Sequence, residues 1–385
     1  MPPTRATAVN ARILRWARER AGLDLGEVAA RLQKTPEIIA AWESGEAFPT
    51  YNQLELLAES VFHRPVAMFF LPNPPEEEPI EREFRVLPHT EVDQLSADTR
   101  YALRDARAFQ RSLMELTGGR NPAERVITKD FSPAREADPL SLARRVRAYL
   151  GVDSESSKGW DTPREAMTWW RDRVESVGVF VFKRSFDQRE VSGFCVFDQE
   201  FPIIVVNNST AFTRQIFTLV HELGHLLFGV SSITSDEAFD QRLTGPTREL
   251  EIACNRFAAE LLVPEESFPW ADFHPSSLDE FAQVNARRYG VSKEVILRKL
   301  LDRQLIDQAT YASRVQQWRN EGDSRAEGRG GNYYATQAAY LGKAFLSLAF
   351  SQYRAGNIGL PELADHLKVR ARNLGKLEDF AFQQG

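Results

Sequence analysis

Only two of the 385 residues are cysteine, Cys195 and Cys254. So few thiols cannot build a disulfide framework, and the fold must rest on its hydrophobic core. Both lie in apolar stretches and read as reduced core residues, as expected of a cytoplasmic protein. Long hydrophobic runs are missing too: no stretch approaches the roughly 20 apolar residues that a membrane helix needs. The opening residues, MPPTRATAVNARILRWARER, hold no apolar stretch followed by a small-residue cleavage site, so no secretory leader is expected. An excess of positive charge is also absent, with 54 acidic against 48 basic side chains and a net charge of −6. Proteins devoted to nucleic acid usually lean basic, at least locally, so the global balance gives DNA binding no support. A hydrophobic fraction of 43% and a charged fraction of 26% mark an ordinary globular chain, too long for one core, and two or three domains are expected.

Residues 9 to about 70 read as five short helices. Asn10 to Ala21 places Ile13, Leu14 and Ala17 on one face and stops at Gly22. Leu25 to Leu32 and Pro36 to Ser44 follow, separated by a tight connection in which Thr35 is a good N-cap and Pro36 fits the first turn. Tyr51 to Val61 and Pro65 to Phe70 complete the set. The proline-rich, acidic stretch Leu71 to Pro79 then reads as an extended linker. Helices are expected at about 96–117, 139–150 and 162–177. Val179–Phe182, Gly193–Phe197 and Pro202–Val206 have the length and β-branched or aromatic content of strands. Helices at about 210–228 and 248–262 come next, and the remainder is helical apart from the glycine-rich loop Asn320 to Asn332.

The segment around His221, Glu222 and His225 carries the strongest signal. Two histidines four apart share one face of a helix, so both imidazoles can reach one zinc ion. Glu222 between them is placed to take a proton from water at the metal. Leu219, Val220, Leu223, Leu226, Leu227 and Phe228 surround the trio with apolar side chains, and buried polar groups are costly unless paired or ligated. A catalytic zinc also needs a third protein ligand. The helix from Arg248 to Leu262 offers Glu251 on the same face as Asn255, in largely apolar company that makes a carboxylate want a cation. Glu249 and Glu260 are competitors, though each reads better as a solvated helix residue than as a ligand.

The pair HELGHLLFG and ELEIACNRFAAELLVP resembles the ImmA/IrrE family of metallopeptidases. In that family the third zinc ligand is a glutamate four residues before the asparagine of the CN-x-x-AA-x-LL-x-P segment, which here is Glu251. Its position 26 residues beyond His225 suits a short loop between two antiparallel helices. Upstream, Leu25, Val28-Ala29, Leu32, Ile38-Ile39 and Trp42-Glu43-Ser44-Gly45 followed by Pro49 resemble the XRE-type helix-turn-helix. The order of the two, with FFLPNPPEE between them, is similar to XRE–ImmA/IrrE fusions over nearly the whole chain.

The resemblance implies a mostly α, α+β fold: an all-α helix-turn-helix domain, then a gluzincin-like zinc peptidase domain with a small sheet and a helical C-terminal region. The expected bounds are 1–71 for the first domain, 72–92 for the linker, 93–305 for the peptidase and 306–385 for the helical end. His221, His225 and Glu251 would hold Zn2+, with Glu222 as general base. A second oxyanion donor is expected, and Tyr289, Tyr311 and His274 are all open to that role. Val191 to Phe197 is the candidate sheet edge for a substrate backbone, or else a plain core strand. The implied substrate is a repressor or antitoxin-like protein, cleaved in a stress or phage response. The rival reading is a transcriptional regulator or antitoxin whose zinc domain senses metal or binds a partner without proteolysis. A homodimer is compatible with the sequence, and no membrane partner is expected.

Whether the N-terminal module reads DNA is a separate matter. Between Thr35 and Ser44 no Arg, Lys, Asn or Gln is available to meet base edges. Residues 1–70 hold eight basic and eight acidic side chains, leaving no net charge for phosphate contacts. Arg12, Arg15, Arg18, Arg31 and Lys34 remain as backbone contacts, and docking onto another protein stays open beside operator binding. A second basic feature, Lys368, Arg370, Arg372 and Lys376 between two short C-terminal helices, reads as a nucleic-acid contact or a solvated cap.

Overall fold

The computed structural model describes residues 4–77, 95–131, 138–153, 159–186, 188, 191–235, 244–322 and 332–382. The chain divides into two compact units, Met1–Asp105 and Ala106–Gly385.

The first unit is helical. Helix α1 (Ala11–Ala21) is capped by Asn10, whose side chain accepts from the Arg12 amide, and ends on Gly22 at φ 68°, a conformation that favours glycine. Helix α2 (Leu25–Leu32) starts in a capping box between Asp24 and Glu27, and α3 (Pro36–Ser44) starts on proline. The fourth helix begins as α4 (Tyr51–Glu55) and widens into π turns over Leu56–Val61. Ile13, Leu14, Val28, Ile39, Trp42, Leu54 and Leu57 fill the core between them.

Glu43 is turned inward. It is 7% exposed and clamped by the Arg18 guanidinium at 2.7 and 2.9 Å, which removes Arg18 from the set free for phosphate. The outward face of α3 is left with Thr35, Pro36, Glu37, Ile38 and Ser44. The start of the expected linker is pinned rather than free. Glu77 pairs with Arg64, and Arg20 donates to the Glu77 carbonyl at 2.9 Å. Burial works against the Glu77 carboxylate, but Arg64 holds its pKa below the usual carboxylate range.

Helix α5 (Ala97–Thr117) leads into the second unit, followed by α6 (Ile127–Asp130), α7 (Pro139–Tyr149) and α8 (Pro163–Glu175). Strands β1 (Phe180–Arg184), β2 (Val191–Val196) and β3 (Ile203–Asn207) come next, then α9 (Phe212–Leu227) and β4 (Ser232–Ser235). The sheet order is β1-β3-β2-β4, with β1 and β3 parallel and the other pairs antiparallel. Strands β2 and β3 are buried at every residue, as expected of a sheet covered on both faces. Phe182 stacks on Phe109 at 4.5 Å and meets Phe345 at 5.3 Å on one side, while Val181, Ile204 and Val206 join the helix core on the other.

The expectation that Val191–Phe197 is a sheet edge is corrected here. The chain leaving α9 adds β4 against β2, pairing Val191 with Ser235 and Cys195 with Ser232, so β2 is interior. The connection from His225 to Glu251 is therefore more than a short loop, because it contains a strand.

Helix α10 (Gly245–Leu262) lies against α9. The helices that follow are α11 (Leu278–Tyr289), α12 (Lys293–Asp302), α13 (Gln308–Gly322), α14 (Tyr333–Leu341), α15 (Lys343–Arg354), α16 (Leu360–Leu367) and α17 (Leu374–Phe382). Residues 323–331 of the glycine-rich loop and 78–92 of the linker lie outside the described residues. Among the described residues no helix is long and apolar enough to cross a membrane. Arg370, Arg372 and Lys376 are exposed at the C-terminal helix pair.

Close approach of α9 to the sheet depends on Gly193. A Cβ there would sit 2.6 Å from Thr218 Cγ2 and 2.7 Å from the Val205 carbonyl oxygen, and backbone cannot swing aside. Gly193→Ala is expected to destabilise the unit by about 1–3 kcal/mol. The check is a lower urea midpoint at unchanged slope, and an unchanged midpoint would count against this packing.

Candidate metal centre

From Gln215 onward α9 is buried almost all round, so its polar residues lie inside the protein. His221 and His225 are 1% and 0% exposed and one turn apart. Gly224, between them in sequence, lets α10 come close, since a Cβ there would be 3.1 Å from Phe257 and 3.4 Å from Cys254 Sγ. That approach brings Glu251 to the histidines. His221 Nε2 is 3.2 Å from Glu251 Oε2, His225 Nε2 is 3.3 Å from Oε1, and the two Nε2 atoms are 3.0 Å apart.

These atoms fit a cation. Three buried groups aim lone-pair-bearing atoms at one point, which is unfavourable unless a proton or metal is shared among them. A tetrahedral ion with ligand bonds of about 2.0–2.2 Å sets its ligand atoms about 3.3–3.6 Å apart, close to what is observed. Burial alone would push the Glu251 carboxyl up, yet the His225 and His221 imidazoles hold it well below the usual carboxylate range. The carboxylate therefore stays charged, as a metal ligand must be. Among the described residues His221, His225 and Glu251 are the group of His, Cys, Asp or Glu side chains able to hold a metal ion, with donor atoms within 4.8 Å of one another.

The surroundings orient these donors. Asn255 Oδ1 lies 2.9 Å from His221 Nδ1, so Nδ1 carries the proton and Nε2 keeps its lone pair for a metal. Asn255→Ala is expected to lower metal affinity about 10- to 100-fold, measured by competition with a chromophoric chelator. Unchanged affinity would show that the ring needs no such anchor. His225 Nδ1 is buried without a partner among the described residues.

Glu222 is 0% exposed and stands apart from the three donors. Its Oε2 accepts from the Ser232 hydroxyl at 2.7 Å, while Oε1 is buried with no hydrogen-bond partner among the described residues. Ser232 itself touches Cys195 Sγ at 3.5 Å. Sequence reasoning missed Ser232, because β4 is four residues long with a single large apolar side chain, Ile233. The alternation in Ser231-Ser232-Ile233-Thr234-Ser235 after Gly229 was the available signal.

The competing carboxylates are engaged or distant. Glu260 faces Arg144 at 3.4 Å and Lys299 at 3.5 Å, and Glu249 is exposed. Tyr289 is buried with its hydroxyl donating to the Ser267 carbonyl, Tyr311 faces Glu294, and His274 is exposed. Burial, followed by the nearby carboxylates, pushes both cysteine thiols up, so neither is a ready metal ligand.

Residues 174–301 match the model of peptidase family M78, described as the IrrE N-terminal-like domain. This IrrE-like segment contains the whole sheet, α9 with His221 and His225, and α10 with Glu251. Residues 14–60 match the model described as Helix-turn-helix, which spans most of α1 through the π turns. The chain thus joins a helix-turn-helix segment to an IrrE-like segment. It is also similar to the "Radiation response metalloprotease IrrE" of Deinococcus radiodurans, with 40% identity over 73 residues. The aligned stretch is 18% of this chain and 21% of that relative.

Proposed function

We propose that the chain is a zinc-dependent endopeptidase of the gluzincin type, HExxH…E, whose helix-turn-helix unit ties proteolysis to transcription. The observation that carries this reading is the meeting of His221, His225 and Glu251 within 4.8 Å beside the separately held carboxylate of Glu222. Two imidazoles and one carboxylate suit Zn2+, with His221, His225 and Glu251 as the ligands. When bound, zinc supplies Lewis acidity at the scissile carbonyl and lowers the pKa of water. Glu222 Oε1 takes the proton of the attacking water and returns it to the leaving amine. Ser232 keeps the other carboxylate oxygen in place, so that Oε1 faces the reaction. Ser232→Ala is accordingly expected to lower kcat about tenfold or more, with zinc content and KM unchanged. A purely structural Ser232 would instead lower stability and leave kcat intact.

The match at 174–301 lies within the peptidase domain assigned to 93–305, and the match at 14–60 within the module at 1–71. The substrate in this reading is a repressor or antitoxin-like helix-turn-helix protein of the cytoplasm, cleaved under stress. The name of the Deinococcus radiodurans relative supports the pairing of metalloproteolysis with a stress response. For the N-terminal unit, the outward face of α3 favours docking on such a protein over reading base edges, since it carries no cationic or amide side chain.

The test is incubation of the zinc-loaded chain with helix-turn-helix proteins encoded beside its gene, read by intact mass. A discrete cut, abolished by a chelator and restored by zinc, is expected. Stoichiometric zinc without cleavage would move the reading to a metal-binding regulator.

A further inference from the structure

Lys183 is a charged residue in an otherwise apolar part of β1. Alternation along the strand puts Phe180, Phe182 and Arg184 on one face and Val181 with Lys183 on the other. Lys183 reaches the first residue of α9, with Nζ 5.4 Å from the centroid of the Phe212 ring. It is 8% exposed, and among the described residues no hydrogen bond or ion pair holds its ammonium group.

The groups around it are mainly cations. From α8, Arg164 Cζ lies 5.4 Å from the centroid of the same Phe212 ring, also with no ion pair among the described residues. Arg171 is close enough to act on Lys183 but is committed elsewhere, with Nε on Glu175 at 3.0 Å and Nη1 on the Ala339 carbonyl at 2.8 Å. Glu175, the acid that acts on Lys183, is thus already paired. Burial, then Arg171 and Arg164, push the Lys183 pKa down to about 7. Two cations against one ring, without an acid of their own, call for an anion.

Helix α9 adds donors at the same place. Its N-cap is Ala211, which has no side-chain acceptor, and the amides of Phe212 and Thr213 make no hydrogen bond among the described residues. Phe212, whose ring both cations approach, is the first residue of this uncapped turn. Such a turn favours negative charge.

We propose that Lys183, Arg164 and the first turn of α9 form a binding site for a small oxyanion, a phosphate or carboxylate group. The site is distinct from the metal centre: His221 is nine residues further along α9, about 13 Å on a helix. It does not depend on the chain being a protease.

The experiment titrates the full-length chain with inorganic phosphate and, separately, with acetate by calorimetry, and repeats both on Lys183→Met and Arg164→Gln. Saturable binding is expected, weakened about tenfold or more in each variant. Arg164 is exposed, so its variant leaves the core packing alone. Phosphate binding without acetate binding assigns the site to a phosphate-bearing ligand, and acetate binding assigns it to a carboxylate. Absence of saturable binding by either anion, or binding unchanged in both variants, which means an adventitious ion only, overturns the proposal.

Discussion

Glu222→Gln is expected to abolish detectable peptide hydrolysis while the metal stays bound. General acid–base catalysis by one positioned group contributes about 10²- to 10⁴-fold, and an amide cannot take up the proton that a carboxylate does. The substitution preserves shape, and its carbonyl can still accept from Ser232 as Glu222 Oε2 does now at 2.7 Å. The metal donors are untouched, because Glu222 is not one of the three side chains that converge. The measurement is kcat/KM on a cleaved substrate together with metal content of the same sample. A variant that keeps zinc and keeps activity would remove Glu222 from the chemistry. A variant that loses zinc would make it a ligand or a structural support instead.

The second large effect is expected from Glu251→Gln. The carboxylate meets both imidazoles at 3.2 and 3.3 Å, and its negative charge is what makes three buried donors attractive to a dication. Loss of an outer hydrogen-bond partner costs about 10- to 100-fold in metal affinity, so loss of a direct ligand should cost at least about a hundredfold. Zinc at about 1,000 times its Kd stabilises a folded protein by about 4 kcal/mol, and a hundredfold weaker site at the same zinc by only about 1.4 kcal/mol. Thermal unfolding with and without added zinc therefore separates the two proteins. A zinc-dependent rise in Tm in the variant equal to that of the wild type would place the third ligand elsewhere.

Much of this arrangement was legible in the sequence where local rules decide it. Histidines four apart must share a helix face, and Gly22, Pro36 and Gly45 punctuate the first unit with local chemistry that acts over a few residues, although the Thr35 side chain makes no cap hydrogen bond. Glu251 was suggested by the apolar face it shares with Asn255 and singled out as a ligand by family resemblance, because Glu249 and Glu260 carry the same charge on the same helix. What separates the three is tertiary: Glu260 is taken by Lys299 and Arg144, and Glu249 faces solvent.

The rest was hidden because partners distant in the chain settle it. Strand β4 owes its place to pairing with β2, and that pairing is what removes Val191–Phe197 from the edge. Glu43 reads as a surface residue until Arg18, 25 positions earlier, closes on it. The acidic stretch after Leu71 reads as a free tether until Arg64 binds Glu77. Lys183 is invisible in the sequence as anything but a polar interruption of a strand, and only the fold reveals that its neighbours are cations.

The most direct test of the metal centre is X-ray absorption at the zinc edge, with metal content measured on the same purified protein. One zinc per chain is expected, surrounded by nitrogen and oxygen at about 2.0–2.2 Å and showing the outer-shell scattering of two imidazoles. A protein without zinc under zinc-replete conditions, or one with sulfur at about 2.3 Å from Cys195 or Cys254, would contradict the site built from His221, His225 and Glu251.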